Sequence, residues 1–438
     1  MAAGAALGVS RAKVFDILEK TGGRSLAYAA SANPTTRYIG IAAGNGGLAW
    51  WQLLWPQPKV AHADNPSFAW HKPGQEMDVA GTDRTLTVGP DTPWKTLPAQ
   101  RQLTGFLCGK GEAHVSNVVS STTLNGQSIH AIATALQAGN PSVIPAISIG
   151  DVDYGTAMGA AVPSNVGDGS GIVGLFNSAA SRAGGLLADM NDANLYKTQY
   201  DAFIQLNRAA NRSTTRSSYL TASGAAQFLG TNLAAKLAIT DADRARYGLT
   251  SGTPNKITSI GEAFIVAVKS FKAGLTNSIV IPAMRDDPHG AFADGSINTV
   301  PGQLKSILDG LMNDLANTTD DNTLVNLADD TVICVTGDTP KDALTASAWP
   351  DGPAGNANMM YVYSAGLLKT GWWGGVNTDG SVDGYGADGS TTTYNQADTA
   401  KYANASVAYA IAKGDERLIS PFANGITIGG VFGNIVQS

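Results

Sequence analysis

Cysteine is nearly absent from this chain: 438 residues carry two, Cys108 and Cys334. Two thiols cannot staple a loop-rich scaffold, and Cys334 lies inside the apolar run Thr331 to Val335, the setting of a buried free thiol. Long apolar runs are lacking too. Pro, Gly or Asn interrupts each hydrophobic stretch before it reaches the roughly 18 residues of a membrane-spanning helix, so no transmembrane span is expected. Charge is scarce, at 15%, and not basic: 29 Lys+Arg against 35 Asp+Glu leave a net charge of −6. With no basic tail or patch, the chain lacks the electrostatic footprint of a nucleic-acid binder.

What the chain does have is 43% hydrophobic residues, ample for a core, and 51 glycines without a Gly-X-Y period, which imply many tight loops. The opening Met1-Ala-Ala-Gly-Ala-Ala-Leu-Gly8 is small and apolar, like the tail of an export signal without its charged front. Together with the Asn, Thr, Ser and Gly content, it leads us to expect an exported protein, periplasmic, extracellular or at the cell surface.

Periodicity predicts a short amphipathic helix over Arg11 to Lys20 and a strand over Arg37 to Ala43 that runs into Gly44-Asn45-Gly46-Gly47. A strand over His114 to Val119, a helix over Ser128 to Gln137 capped by Ser128, and a buried strand over Val143 to Ile149 follow. From Gly171 to Gly274 the pattern is helical, an expected insertion, with Ser259-Ile-Gly-Glu262 read as a capping box. Strand Ser278 to Met284, helix Pro301 to Asn317 and strand Thr331 to Thr336 form a βαβ crossover, which implies parallel strands buried on both faces. Strand Asn358 to Ser364, a helix around Thr399 to Ala412 and a possible last strand over Ile426 to Val436 complete the pattern. The expected fold is a single α/β domain over residues 1–438, a mostly parallel sheet flanked by helices, with the Gly/Asp-rich stretch 374–393 as a surface loop or irregular hairpin.

In open parallel sheets, ligands bind beyond the carboxyl ends of the strands. Polar residues follow those ends here: Asn45, then Ser120, Ser121 and Thr122, then Asp151 and Asp153, then Asp286, Asp287 and His289, then Asp338. Two carboxylates and an imidazole in Arg285-Asp286-Asp287-Pro288-His289 suit a divalent cation such as Zn²⁺, Mg²⁺ or Ca²⁺, with Asp338 facing the same mouth. A hydroxyl of Ser120, Ser121 or Thr122 is the candidate nucleophile and His130 a candidate general base. Turn and cap roles for the carboxylates, and a packed helix histidine at 130, are the plainer readings. Asp379-Gly-Ser381-Val-Asp383-Gly384 matches the first half of a calcium loop, but Ser390 replaces the bidentate Glu, so only a weak calcium site or a plain turn is expected. The pairs Trp50-Trp51 and Trp372-Trp373 read as core, or as a sugar or partner platform if exposed.

The order of elements resembles a large family of exported bacterial proteins of unknown function, often carrying twin-arginine signals, that look like distant members of the alkaline phosphatase and sulfatase superfamily. The resemblance rests on Tyr38 to Leu48, His114 to His130, Asp287-Pro-His289 and Asp330 to Gly375. It implies an alkaline-phosphatase-like fold and a metal site for phosphate or sulfate esters. Two departures weaken that site. Relatives place an Asp in the first Gly-rich loop, where this chain has Asn45 and Gly46, and an Asp-His pair where it has Asp351-Gly352. The expectation is therefore a degenerate site in a structural or assembly component with protein partners or a homo-oligomeric state. The alternative is a metal-dependent ester hydrolase holding its cation on Asp286, Asp287, His289 and Asp338.

Overall fold

The computed structural model describes residues 35–42, 54–55, 77–78, 87–88, 103–112, 119–140, 142–150, 152–176, 233–282, 299–337, 354–377 and 381–423. The helix expected over Arg11 to Lys20, the Gly44 to Gly47 loop and the strand over Ile426 to Val436 lie outside them.

Eight strands form the main sheet: β1 (Arg37–Ala42), β2 (Leu103–Lys110), β3 (Ile147–Ile149), β4 (Ser164–Val166), β5 (Ser278–Pro282), β6 (Thr331–Thr336), β7 (Ala357–Tyr363) and β8 (Gly371–Trp373). Their order is β8-β2-β7-β6-β1-β5-β3-β4. Every neighbouring pair is parallel except the two that β7 makes, antiparallel to β6 on one side and β2 on the other. The protein is thus an α/β fold on a mostly parallel sheet. The β5–β6 crossover skips a position, because β1 lies between them and pairs with both.

β1 is buried at all six positions, as a central parallel strand covered on both faces must be. Alternation sends Ile39, Ile41, Ile279, Ile281, Ile333 and Val335 to one face and Tyr38, Val280, Val332 and Cys334 to the other. Helices α5 (Asn255–Lys272) and α6 (Val300–Ala316) pack on the first face. Helices α1 (Ile129–Leu136), α7 (Gln396–Ile411) and α8 (Glu416–Ala423) cover the second. For α6, Pro301 opens the helix and Leu304, Ile307, Leu308, Leu311 and Leu315 form its fully buried stripe.

Several elements differ from expectation. Of the stretch expected as a strand over His114 to Val119, only Val119 is among the described residues; a strand the periodicity does not single out runs over Leu103–Lys110. Gly105 and Gly109 dilute the strand signal there, yet Gly105 is required, because a Cβ on it would sit 1.9 Å from Cε3 of Trp372. The strand over Val143 to Ile149 shrinks to Ile147–Ile149, since Pro145 has no amide to donate. Helix α5 begins at Asn255 after Pro254, so Ser259 is inside it and opens nothing; Glu262 instead pairs with Arg244 at 2.8 Å. The capping box belongs to Thr240 and Asp243, which open α4 (Asp241–Arg246). Of the stretch expected as a helical insertion, α2 (Gly169–Phe176), α3 (Leu233–Leu237), α4 and α5 are described. Ile172, Leu233, Leu237 and the α5 stripe join the same core as the sheet. The 374–393 stretch forms a small antiparallel sheet of β9 (Gly375–Val376), β10 (Val382–Tyr385) and β11 (Thr391–Thr393). Among the described residues no helix is long and apolar enough to cross a membrane.

At the amino edge of the sheet, Arg37 is 2% exposed and pairs with both Asp320 and Asp330, while Lys413 reaches Asp330 at 2.6 Å. This buried cluster joins the start of β1, the segments before and after the α6–β6 turn, and the end of α7.

Candidate functional site

The parallel register decides which chain segments share the carboxyl edge. Ala42 of β1 lies beside Pro282 of β5, and Ile41 beside Val335 of β6. The chain therefore leaves all three strands on one edge. β2 ends there with Lys110, and the antiparallel β7 begins there with Ala357, opposite Lys110. The segments that carry Asn45, Asp286, Asp287, His289 and Asp338 continue from these ends, and these residues lie outside the described residues, as do Asp151 and Asp379.

Ser120, Ser121 and Thr122 form a single 3-10 turn at this edge. Thr122 donates from both its amide and its hydroxyl to the Val119 carbonyl, at 3.0 and 2.9 Å. Ser120 Oγ accepts from the Lys110 amide at 2.9 Å, and the Ser120 amide donates to Glu112 Oε1 at 3.1 Å. Gly109 lets the two segments meet: its φ is +63°, and a Cβ would lie 2.8 Å from the Ser121 nitrogen. Ser121 is fully buried, and two amide side chains hold it. Asn358 Nδ2 donates to Ser121 Oγ at 3.2 Å and to the Gly337 carbonyl at 2.8 Å; Asn404 Nδ2 donates to the Ser121 carbonyl at 2.7 Å. Asn358 thus ties the turn to the end of β6, directly before Asp338. Motif reasoning passed over both asparagines. Their signal was a lone amide within the apolar strand Asn358-Met-Met-Tyr-Val-Tyr and within the small-residue helix segment Ala403-Asn404-Ala405.

His130 is placed elsewhere. It sits in the first turn of α1, 2% exposed, against the middle of β1, where Gly40 makes room: a Cβ there would lie 2.8 Å from Nδ1 of the imidazole. Its Nδ1 bonds the Tyr38 hydroxyl at 2.9 Å, and the Tyr154 ring lies 6.5 Å away. Burial pushes the imidazole down to about 4, with Asp153 pulling weakly the other way, so the ring is neutral at pH 7. Burial likewise raises the thiols of Cys108 and Cys334, the latter to about 12, which leaves both as inert free thiols.

Ser381 and Asp383 belong to the β9–β10 hairpin. Asn377 Nδ2 donates to Ser381 Oγ at 3.0 Å, and Asp383 pairs with Gly375 and Thr393 in the ladder. Trp372 and Trp373 are buried, so this pair is core; Trp50-Trp51 lies outside the described residues.

For a metal, the donors the chain offers are Asp286, Asp287, His289 and Asp338, and among the described residues no three His, Cys, Asp or Glu come together. Among the described residues, two buried oxygens on the second face near this edge, Thr336 Oγ1 and Asn404 Oδ1, have no hydrogen-bond partner and are neutral groups of the kind that hold water. Comparison with known protein families, curated proteins and solved structures finds no match to this chain.

Proposed function

We propose that the chain is an exported protein on an alkaline-phosphatase/sulfatase-like scaffold whose carboxyl edge no longer runs ester hydrolysis, and that it serves as a structural or assembly component. The observation that carries this reading is the state of the candidate nucleophiles. Ser121 is fully buried with its hydroxyl accepting from Asn358, while the hydroxyls of Ser120 and Thr122 bond the backbone of Lys110 and Val119. Each oxygen is used to fix a turn. The protein's contacts in this role are with other proteins or with copies of itself, through interfaces on the order of 2,000 Å² or more.

A second reading, a metal-dependent ester hydrolase, has one observation in its favour. β5 and β6 end on the same edge, and in the sequence Asp286, Asp287, His289 and Asp338 follow those two ends. The experiment that separates the two is elemental analysis of the purified protein with a phosphate- and sulfate-ester screen before and after chelation. The assembly reading expects no stoichiometric metal, no chelator-sensitive turnover, and an oligomer or a captured protein partner. Near-stoichiometric metal, with turnover lost on chelation and in Asp287→Ala, would overturn it.

A further inference from the structure

Between β3 and β4 the chain runs through residues 152–163 without helix or strand, as a strap across the first turn of α1. Few bonds hold it. The Ser128 amide donates to the Thr156 carbonyl at 3.1 Å, the Met158 amide to Gln127 Oε1 at 2.8 Å, and Ser148 Oγ to the Val152 carbonyl at 3.3 Å. Inward, Tyr154 is 5% exposed; its hydroxyl bonds Thr134 of α1 and its ring lies beside His130. Outward, Met158 and Val162 are 62% and 87% exposed, and Gly155 and Gly159 have φ values of +68° and +75°.

Among the described residues, the histidine beneath this strap has no counter-charge in its own layer. Tyr38 of β1 bonds its Nδ1, Cys334 of β6 lies within hydrogen-bond reach of the same phenol, and α7 and α8 bring Ala403, Val407, Ile419 and Phe422 to that layer. Tyr154 and Asp153 face it from the strap, and among the described residues Asp153 is the one charge acting on it. Asp153 itself is exposed, its Oδ1 accepting from the Gly155 amide at 2.8 Å. Charging the imidazole in place would put a cation in an apolar layer with a neutral phenol as its partner, which forfeits its hydration.

We propose that the 152–163 strap is an acid-released latch: Tyr154 closes it over a neutral His130, and a proton taken up by His130 opens it. The proton binds to Nδ1 or Nε2, whichever the neutral ring leaves bare, and the resulting imidazolium gains water only when Tyr154 has swung out. Because the open form binds the proton near pH 6.5 and the closed form near pH 4, opening becomes more favourable as pH falls through that window and levels off below it. Between pH 7 and pH 5 the linkage amounts to about a 20-fold rise in the open fraction.

Amide hydrogen exchange of the full chain at pH 7 and pH 5, corrected for intrinsic rates, reads this directly. The expected result is about a 20-fold loss of protection confined to residues 152–163 and the start of α1, with β5 and α5 unchanged, and no such loss in His130→Asn. Since that variant removes a packed ring, NMR titration of the wild-type imidazole gives a reading that needs no substitution: His130 stays neutral at pH 6 and its protonation tracks strap opening. Strap protection that is the same at both pH values, an equal loss in His130→Asn, or a His130 that titrates near 6.5 under a closed strap would each overturn the proposal.

Discussion

Where β2 passes under Trp372, a single hydrogen in place of a methyl decides whether the sheet edge closes. A Cβ on Gly105 would lie 1.9 and 2.2 Å from Cε3 and Cζ3 of an indole that is 4% exposed and has Tyr361 beside it at 5.9 Å. Neither ring can yield without moving the other, so Gly105→Ala should lower the unfolding free energy by at least about 1–3 kcal/mol, measured by urea titration. Gly126 is the contrast: nothing lies within 4 Å of its added Cβ, and only its φ of +78° opposes a side chain, so Gly126→Ala should cost about 1–2 kcal/mol in the same assay. Arg37→Met leaves Asp330, 0% exposed, with Lys413 as its remaining cation, and the loss should reach about 3–5 kcal/mol. At this scale the sequence was least legible. Asn358, Asn404 and Gly105 act through partners hundreds of positions away, such as Ser121 for Asn404, and no local pattern encodes such a contact.

Elements were read more faithfully where burial and period agree. The α6 stripe, the β6 run Thr331–Thr336 and the α1 cap by Ser128 match expectation because each is set by neighbours within a few residues. Helix starts were less secure. α5 was expected to open at Ser259, but Ile257 and Ile260 continue its buried stripe upstream and Pro254 is the residue that stops it. The true box, in which Thr240 Oγ1 accepts from the Asp243 amide at 3.1 Å and Asp243 Oδ2 accepts from the Thr240 amide at 2.8 Å, gives a direct test. Thr240→Ala should destabilise the protein by about 1 kcal/mol, visible as a lower Tm with unchanged far-ultraviolet dichroism. Acid acts on the same element. Burial raises the Asp243 carboxyl, but Lys269, Thr240 and Arg246 outweigh it and hold the group below the usual carboxylate range. Its contribution to stability is therefore present above about pH 4 and lost as pH falls further, and Asp243→Asn should flatten that part of the stability profile.

For the molecule as a whole, the α/β class and the shared carboxyl edge were legible because two apolar strands around an amphipathic helix permit little else. The reversal of β7 was not: an apolar heptad such as Ala357–Tyr363 reads the same in either direction. Nor was the hold on Ser121, which requires α7 and β7 to arrive from the far end of the chain. That long reach also makes α7 indispensable. Its buried face lies on β2, β6 and α1, and Lys413 at its end neutralises Asp330, so a chain ending at Asn395 should show no cooperative thermal transition and no near-ultraviolet dichroism.

Because β2 lies between β7 and β8 in the sheet, it has no strand partner until those two exist, and they lie about 250 residues downstream. At a synthesis rate of roughly 5–20 residues per second, the ribosome leaves Leu103–Lys110, a strand with Phe106, Leu107 and Cys108 to hide, waiting on the order of ten to fifty seconds. A folding factor that shelters nascent chains would find its customer in that interval.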